Sequence, residues 1–264
     1  MKKERRRYIH AAVTLSCCII YAVYFYILIS TLFRNGIWIA ISAVNISNLA
    51  VKFIIDFCVA LLFPAIILLV KRKDLYLQFS ATDPVIIFLA GVYLLLFLLH
   101  ADCSVSGLYA FYFYLMIVSF CEEFIFRAYL YSELSACSNV AAIVISGLLW
   151  GSMHAILPGV LSGKTFIEIM PTMLNYISSG IITGFVFIYL LKSSKTVWVP
   201  VLIHAILDYS VGAIGILVQI SIVSYYLWVS YTSIKSRLTA HNSLKAVNRG
   251  RLLYGAYVSA FLSD

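Results

Sequence analysis

Apolar runs of about twenty residues, broken by short polar or basic stretches, recur along almost the whole chain. A helix needs about 20 apolar residues to cross the hydrocarbon of a bilayer. That ruler predicts about eight spans, at Tyr8–Phe33, Leu49–Val70, Val85–Ala101, Gly107–Tyr131, Val140–Leu157, Thr172–Leu191, Val197–Gly215 and Ile216–Ile234. No polar loop separates the last two, where only Gly212 and Gly215 signal a turn. The basic start up to Arg7 leads into an apolar run too long for the core of a cleavable signal, so it reads as a first span. Between spans, Gly36–Asn48 is apolar but interrupted by Ser42, Asn45 and Ser47. Pro158–Pro171 is expected to be the longest loop on the outer side.

Composition agrees with this pattern. Of 264 residues 63% are hydrophobic and 11% charged, against about 25% charged in soluble domains. No stretch has the surface composition of a water-exposed domain, so residues 1–264 are read as one membrane domain. The formal charge of +8 does not signal nucleic acid, because the basic residues cluster between apolar runs instead of lining one face. Those clusters lie around Lys2–Arg7, Lys71–Lys73, Lys192–Lys195 and Lys235–Arg251, whereas the opposite side holds only Arg34 and Lys164. The asymmetry places both termini in the cytoplasm. Membrane lipid is the surrounding partner, and the mildly basic tail from Lys235 can rest on anionic headgroups. Six cysteines show no CxxC and no metal-ligand spacing and read as buried thiols.

Charges inside the apolar runs carry the chemistry, because each costs about 2.5–3.5 kcal/mol at mid-bilayer on insertion scales. Glu122, Glu123 and Arg127 fall within one predicted span. Glu123 and Arg127 are four apart with the acid first, the favourable order for a helical ion pair. Glu122 is rotated by about 100° and free to face elsewhere. Trp150 and His154 are four apart on one face, and Gly147 and Gly151 allow close helix approach there. His204 and Asp208 repeat the spacing near the end of the chain's apolar part. Lys52 and Asp56, also four apart, read as a self-satisfied pair. Polar groups in lipid must converge to avoid being stranded, so the carboxylates and histidines are expected to form one site. Their depths do not coincide in this topology: Glu122, His204 and His154 lie roughly 14, 10 and 21 Å from the cytoplasmic ends of their spans, at about 1.5 Å per residue.

Glu122-Glu123-x3-Arg127, Trp150-x3-His154 and His204-x3-Asp208, in that order on successive apolar helices, resemble the CAAX prenyl protease type 2 and lysostaphin-resistance-like family, which includes bacteriocin-processing and immunity proteins. The resemblance covers roughly 107–215. It implies an all-α polytopic bundle and an intramembrane endopeptidase that cleaves a membrane-tethered or prenylated protein or peptide. Carried over by position, Glu122 and His154 activate the attacking water, and His204 and Asp208 stand where the family stabilises the oxyanion. Glu123, Arg127 and Trp150 are structural support. The family shows Asn or Asp at this last position; where Asn stands its amide can donate to an oxyanion, whereas Asp208 must be protonated or must orient His204.

A desolvated carboxylate is a usable general base, so no cofactor is required in the favoured mechanism. A zinc ion on Glu122, His154 and His204 is the competing route, weakened by the lack of HExxH. The competing function is a catalytically silent membrane immunity or scaffold protein. The resemblance fits a bacterial cell membrane, or the endoplasmic reticulum in a eukaryotic host.

Overall fold

A computed structural model describes residues 2–71 and 75–210, with scattered helical positions from 216 to 228. Residues 1–209 form one compact unit, and a second begins at Ser210. Most of the eighth predicted span, the end of the seventh and the basic tail lie outside the described residues, as do Arg72 and Lys73.

The described chain is all-helical. Seven helices follow one another: α1 Lys2–Arg34, α2 Leu49–Val70, α3 Pro84–His100, α4 Val105–Ser135, α5 Asn139–Leu161, α6 Phe166–Ser194 and α7 Trp198–Tyr209. Five of them, α1, α2, α4, α5 and α6, are long and apolar enough to cross a membrane, while α3 and α7 are shorter. Their starts are capped as the sequence permits. Asp83 accepts from the Val85 N–H at 2.8 Å with Pro84 in the first turn, and Ser104 accepts from the Gly107 N–H at 3.1 Å. Ser138 caps α5 through the Ala141 N–H at 3.3 Å. These bonds satisfy amide donors that a helix start would otherwise strand.

The expected long loop at Pro158–Pro171 is not there. Residues Ile156–Leu161 are helical, and α6 begins at Phe166, six residues before the predicted Thr172. Thr165 and Glu168 form a reciprocal capping box, with the Thr165 N–H donating to Glu168 Oε2 at 2.7 Å, which starts the helix ahead of Pro171. Pro158 has no N–H to return to the His154 carbonyl. The α5 ladder accordingly breaks at Ala155, just past that histidine.

Wide π turns shape α2 and α4. In α4 they run over Phe113–Phe120 and Glu123–Tyr131 and flank Glu122. Three side chains record the widened pitch by bonding the carbonyl five residues back: Ser119 to Tyr114 at 2.7 Å, Cys121 to Met116 at 3.4 Å and Ser132 to Arg127 at 3.4 Å. Such turns recur at functional sites because they re-aim side chains. In α2 the wide turn at Phe57–Leu61 offers carbonyls to α1, where the Tyr24 hydroxyl donates to Cys58 O at 2.8 Å.

Packing of α5 on α6 is the tightest in the bundle. Gly147 and Gly151 face Gly180 and Gly184, and a Cβ on Gly147 would stand 2.5 Å from Ile181 Cα. The sequence offered Gly147 and Gly151 as an approach surface, and α6 is the helix that uses it. Backbone would have to give way for any side chain here, so Gly147→Ala is expected to destabilise by about 1–3 kcal/mol. A lowered thermal midpoint in detergent checks this, with Gly163→Ala, in open space but at φ +75°, as a control for backbone strain alone. Across the other face of α5, Ser146 Oγ donates to Phe126 O at 2.7 Å, fixing α5 against α4 where α4 carries its charges.

Lys71 and Glu133 form an ion pair that sets the ends of α2 and α4 side by side. The start of α7 is buried beneath the segment before α3. The Val197 N–H donates to Tyr76 O at 2.8 Å, and Thr196 Oγ1 donates to Gln78 O at 2.6 Å. With Val197 fully buried, α7 begins inside the protein and not at its edge.

Candidate active site

The depth mismatch disappears once the true helix ends are used. α4 runs on to Ser135 and α5 starts at Asn139, so Glu122 and His154 lie about 20 and 22 Å from that shared turn at roughly 1.5 Å per residue. The recessed start of α7 carries His204 to the same level. The three side chains meet.

Glu122 Oε2 is the focal atom. The Trp150 indole N–H donates to it at 2.5 Å, His154 Nε2 lies 3.6 Å away and His204 Nε2 3.9 Å away. His154 Nδ1 sits 2.9 Å from the Trp150 carbonyl one turn back. A carbonyl only accepts, so Nδ1 carries a proton and Nε2 turns towards Glu122. His204 is held by a different acid. Its Nδ1 is 2.9 Å from Glu123 Oε1, and its Nε2 is 3.3 Å from Asp208 Oδ2. With carboxylate oxygens at both ring nitrogens, the imidazolium is the form in which both contacts are hydrogen bonds.

Glu122 and Glu123 therefore face different surroundings, as their rotation on the helix predicts. Glu123 is fully buried, with Arg127 Nε 3.3 Å from its second oxygen. Arg127 is also fully buried, and its guanidinium lies 4.4 Å over the Trp150 ring and 5.5 Å from that of Phe187. Aromatic faces supply attraction that the missing hydrogen bonds do not, for none of the three Arg127 nitrogens is hydrogen-bonded among the described residues. Glu122 by contrast keeps about a quarter of its side chain open, at 27%.

That opening leads into a cavity of about 830 Å³ bounded by α1, α2, α4 and α5. Glu122, Trp150, His154 and Asp208 line one part of it, and Lys52 and Asp56 another. The remaining wall is mostly apolar and aromatic. A single compartment thus joins these carboxylates and imidazoles to room for an extended chain.

The structure brings all the predicted site residues together: Glu122, His154, His204 and Asp208, with Glu123, Arg127 and Trp150 around them. Two contacts were not foreseen. Glu123 grips His204 across helices as well as pairing with Arg127, and Trp150 binds Glu122 directly. The shared face of Trp150 and His154 hinted at the second; nothing in sequence spacing could show the first.

A zinc ion on Glu122, His154 and His204 would have to draw these side chains slightly closer together. Ligands about 2.0–2.2 Å from a tetrahedral ion stand about 3.4 Å from one another, whereas Glu122 is 3.6 and 3.9 Å from the two imidazoles and already accepts the indole. Among the described residues no group of three or more His, Cys, Asp or Glu side chains is arranged to hold a metal ion.

Helices long and apolar enough to cross a membrane thus enclose a group of carboxylates and histidines beside a mostly apolar cavity. Residues 104–210, about two-fifths of the chain, match the family described as Type II CAAX prenyl endopeptidase Rce1-like. The matched segment contains Glu122, His154 and His204-x3-Asp208 in full. No curated protein and no solved structure matches the chain.

Proposed function

We propose that this protein is a multi-pass integral membrane endopeptidase that hydrolyses a membrane-tethered protein or peptide through a water activated by Glu122 and His154. The observation that carries this reading is the meeting of Glu122 Oε2 with His154 Nε2 at 3.6 Å and His204 Nε2 at 3.9 Å on the wall of a peptide-sized cavity. A water between Glu122 and His154 donates one proton to the carboxylate as its oxygen attacks the scissile carbonyl carbon. The carbonyl electron pair moves to oxygen, and His204 Nε2–H donates to the oxyanion that forms. Collapse breaks the C–N bond, and the protonated Glu122 returns its proton to the leaving amine.

Supporting groups tune these steps. The Trp150 indole fixes the rotamer of Glu122 and leaves its other oxygen to the water. Asp208 shares the proton at His204 Nε2, so the pair presents a donor to the oxyanion instead of a bare negative charge. Glu123 supplies the countercharge for His204 from the buried side.

No step in this route uses a metal. Purified protein in detergent, incubated with a membrane-tethered fluorogenic peptide, is expected to cleave at the same rate with and without a zinc chelator. Loss of cleavage on chelation with recovery on adding zinc overturns the metal-free route. Failure to cleave any member of a tethered-peptide panel overturns the peptidase and leaves the silent immunity or scaffold role.

A further inference from the structure

The cavity beside Glu122 runs towards one end of the bundle. Apart from Asp208 beside His204, its exposed lining residues are Ala40 and Ser42 between α1 and α2, Asp102 between α3 and α4, and Pro158 and Leu161 at the end of α5. These three places lie together. Tyr26 of α1 packs on Phe166 of α6 with ring centroids 5.1 Å apart, and Phe53 of α2 packs on Tyr109 of α4 at 5.0 Å. From the start of α4 at this mouth, Glu122 lies about 26 Å along the helix at roughly 1.5 Å per residue.

The opposite end is packed shut. Residues 123–131, which carry α4 on from Glu122 in that direction, are all buried. Phe120 stacks on both Phe124 and Trp198 with centroids 5.6 Å away, and Leu191, Val197 and Val201 are fully buried. On α4 and α5 the cavity lining begins at Phe126 and Trp150, short of Ser135 and Asn139 by about 14 Å or more at roughly 1.5 Å per residue.

Charge distinguishes the two ends. The segments at the packed end, 2–7, 71–73 and 192–195, contain ten lysines and arginines, whereas those at the mouth contain two, Arg34 and Lys164. Lysine and arginine in short connections are retained on the cytoplasmic side.

We infer that the cavity opens to the extracytoplasmic face of the membrane, and that the substrate is an exported polypeptide tethered there with its cleavable segment on that face. The substrate class rests on the peptidase reading; the direction of the mouth does not. A segment held in the cytoplasm meets the packed end instead, and the water for hydrolysis enters with the substrate from outside.

Two native cysteines report the direction without any substitution. Cys103 is exposed in the turn between α3 and α4 at the mouth, and Cys137 is half-buried in the turn between α4 and α5 at the packed end. In spheroplasts of bacteria expressing the protein, a membrane-impermeant maleimide should label Cys103, and should reach Cys137 only after lysis. Labelling of Cys137 from outside, or of Cys103 only after lysis, overturns the inference. The tethered fluorogenic peptide, added to sealed membrane vesicles, should be cleaved by right-side-out vesicles and left intact by inverted ones until detergent opens them. In Ser42→Cys, a bulky impermeant maleimide applied to right-side-out vesicles should abolish cleavage, beyond any loss in the equally treated parent. Cleavage by intact inverted vesicles, or undiminished cleavage by fully labelled Ser42→Cys, overturns the extracytoplasmic mouth while leaving the peptidase intact. Outward labelling of Cys103 with no cleavage even in detergent does the reverse.

Discussion

Glu122→Gln is expected to reduce kcat by about 10³-fold, within the range for loss of a general base, and to leave the protein inserted and folded. The amide keeps the volume of the carboxylate, and its carbonyl oxygen can still accept the Trp150 indole. It cannot take a proton from water. Because Glu122 is partly open and its two imidazole neighbours stand at 3.6 and 3.9 Å, its neutralisation should move stability by no more than about 0.5 kcal/mol. Peptide binding should therefore survive while turnover is lost, a split between KM and kcat that marks a group acting in the transition state. The comparison that matters is with a silent scaffold: there the biological phenotype persists in Glu122→Gln, His154→Ala and His204→Ala alike. Full cleavage by Glu122→Gln removes Glu122 from the mechanism.

How much of this was legible beforehand depends on the range of the interaction. The spacing of four between Glu123 and Arg127, Lys52 and Asp56, Trp150 and His154, or His204 and Asp208 follows from helix pitch, and every one of these pairs is in contact or on one face. The apolar ruler likewise located the seven described helices. Helix ends were less visible, because they turn on caps and not on hydropathy. Thr165 and Glu168 begin α6 within a stretch read as loop, and the extension of α4 to Ser135 is what brings Glu122 level with His154. Cross-helix contacts left no trace in the sequence. Glu123 is separated from His204 by 81 positions, and only the anchoring of the α7 start to Tyr76 and Gln78 carries that histidine inward. The cavity is of the same kind: Lys52 reads as a closed local pair until α4 is laid beside it and Tyr109 claims the second oxygen of Asp56.

Glu123 and Arg127 carry the largest expected effect on stability. Both are fully buried with 3.3 Å between Nε and Oε2, so removing either partner strands a charge in a medium that cannot solvate it. Arg127→Met and Glu123→Gln should each cost about 3–5 kcal/mol, read as lost thermal midpoint or failure to extract as monodisperse protein. The double variant Glu123→Gln/Arg127→Met removes both charges of the pair and leaves His204 its contact with Asp208, so its stability should return to within about 1–2 kcal/mol of the parent. Activity should not return with it. The glutamine side chain introduced beside His204 can still accept from Nδ1 through its amide oxygen, but it offers no countercharge, and the imidazolium proposed to stabilise the oxyanion is less favoured. A drop in kcat of about 10–100-fold, corresponding to the loss of one charge-assisted bond, is expected in a protein that folds and binds peptide as before. If the double variant is as unstable as the singles, the pair is not self-compensating and Arg127 answers to other partners. If it is stable and fully active, Glu123 holds the helix and nothing more, and the charge on His204 is set by Asp208 and Glu122 alone.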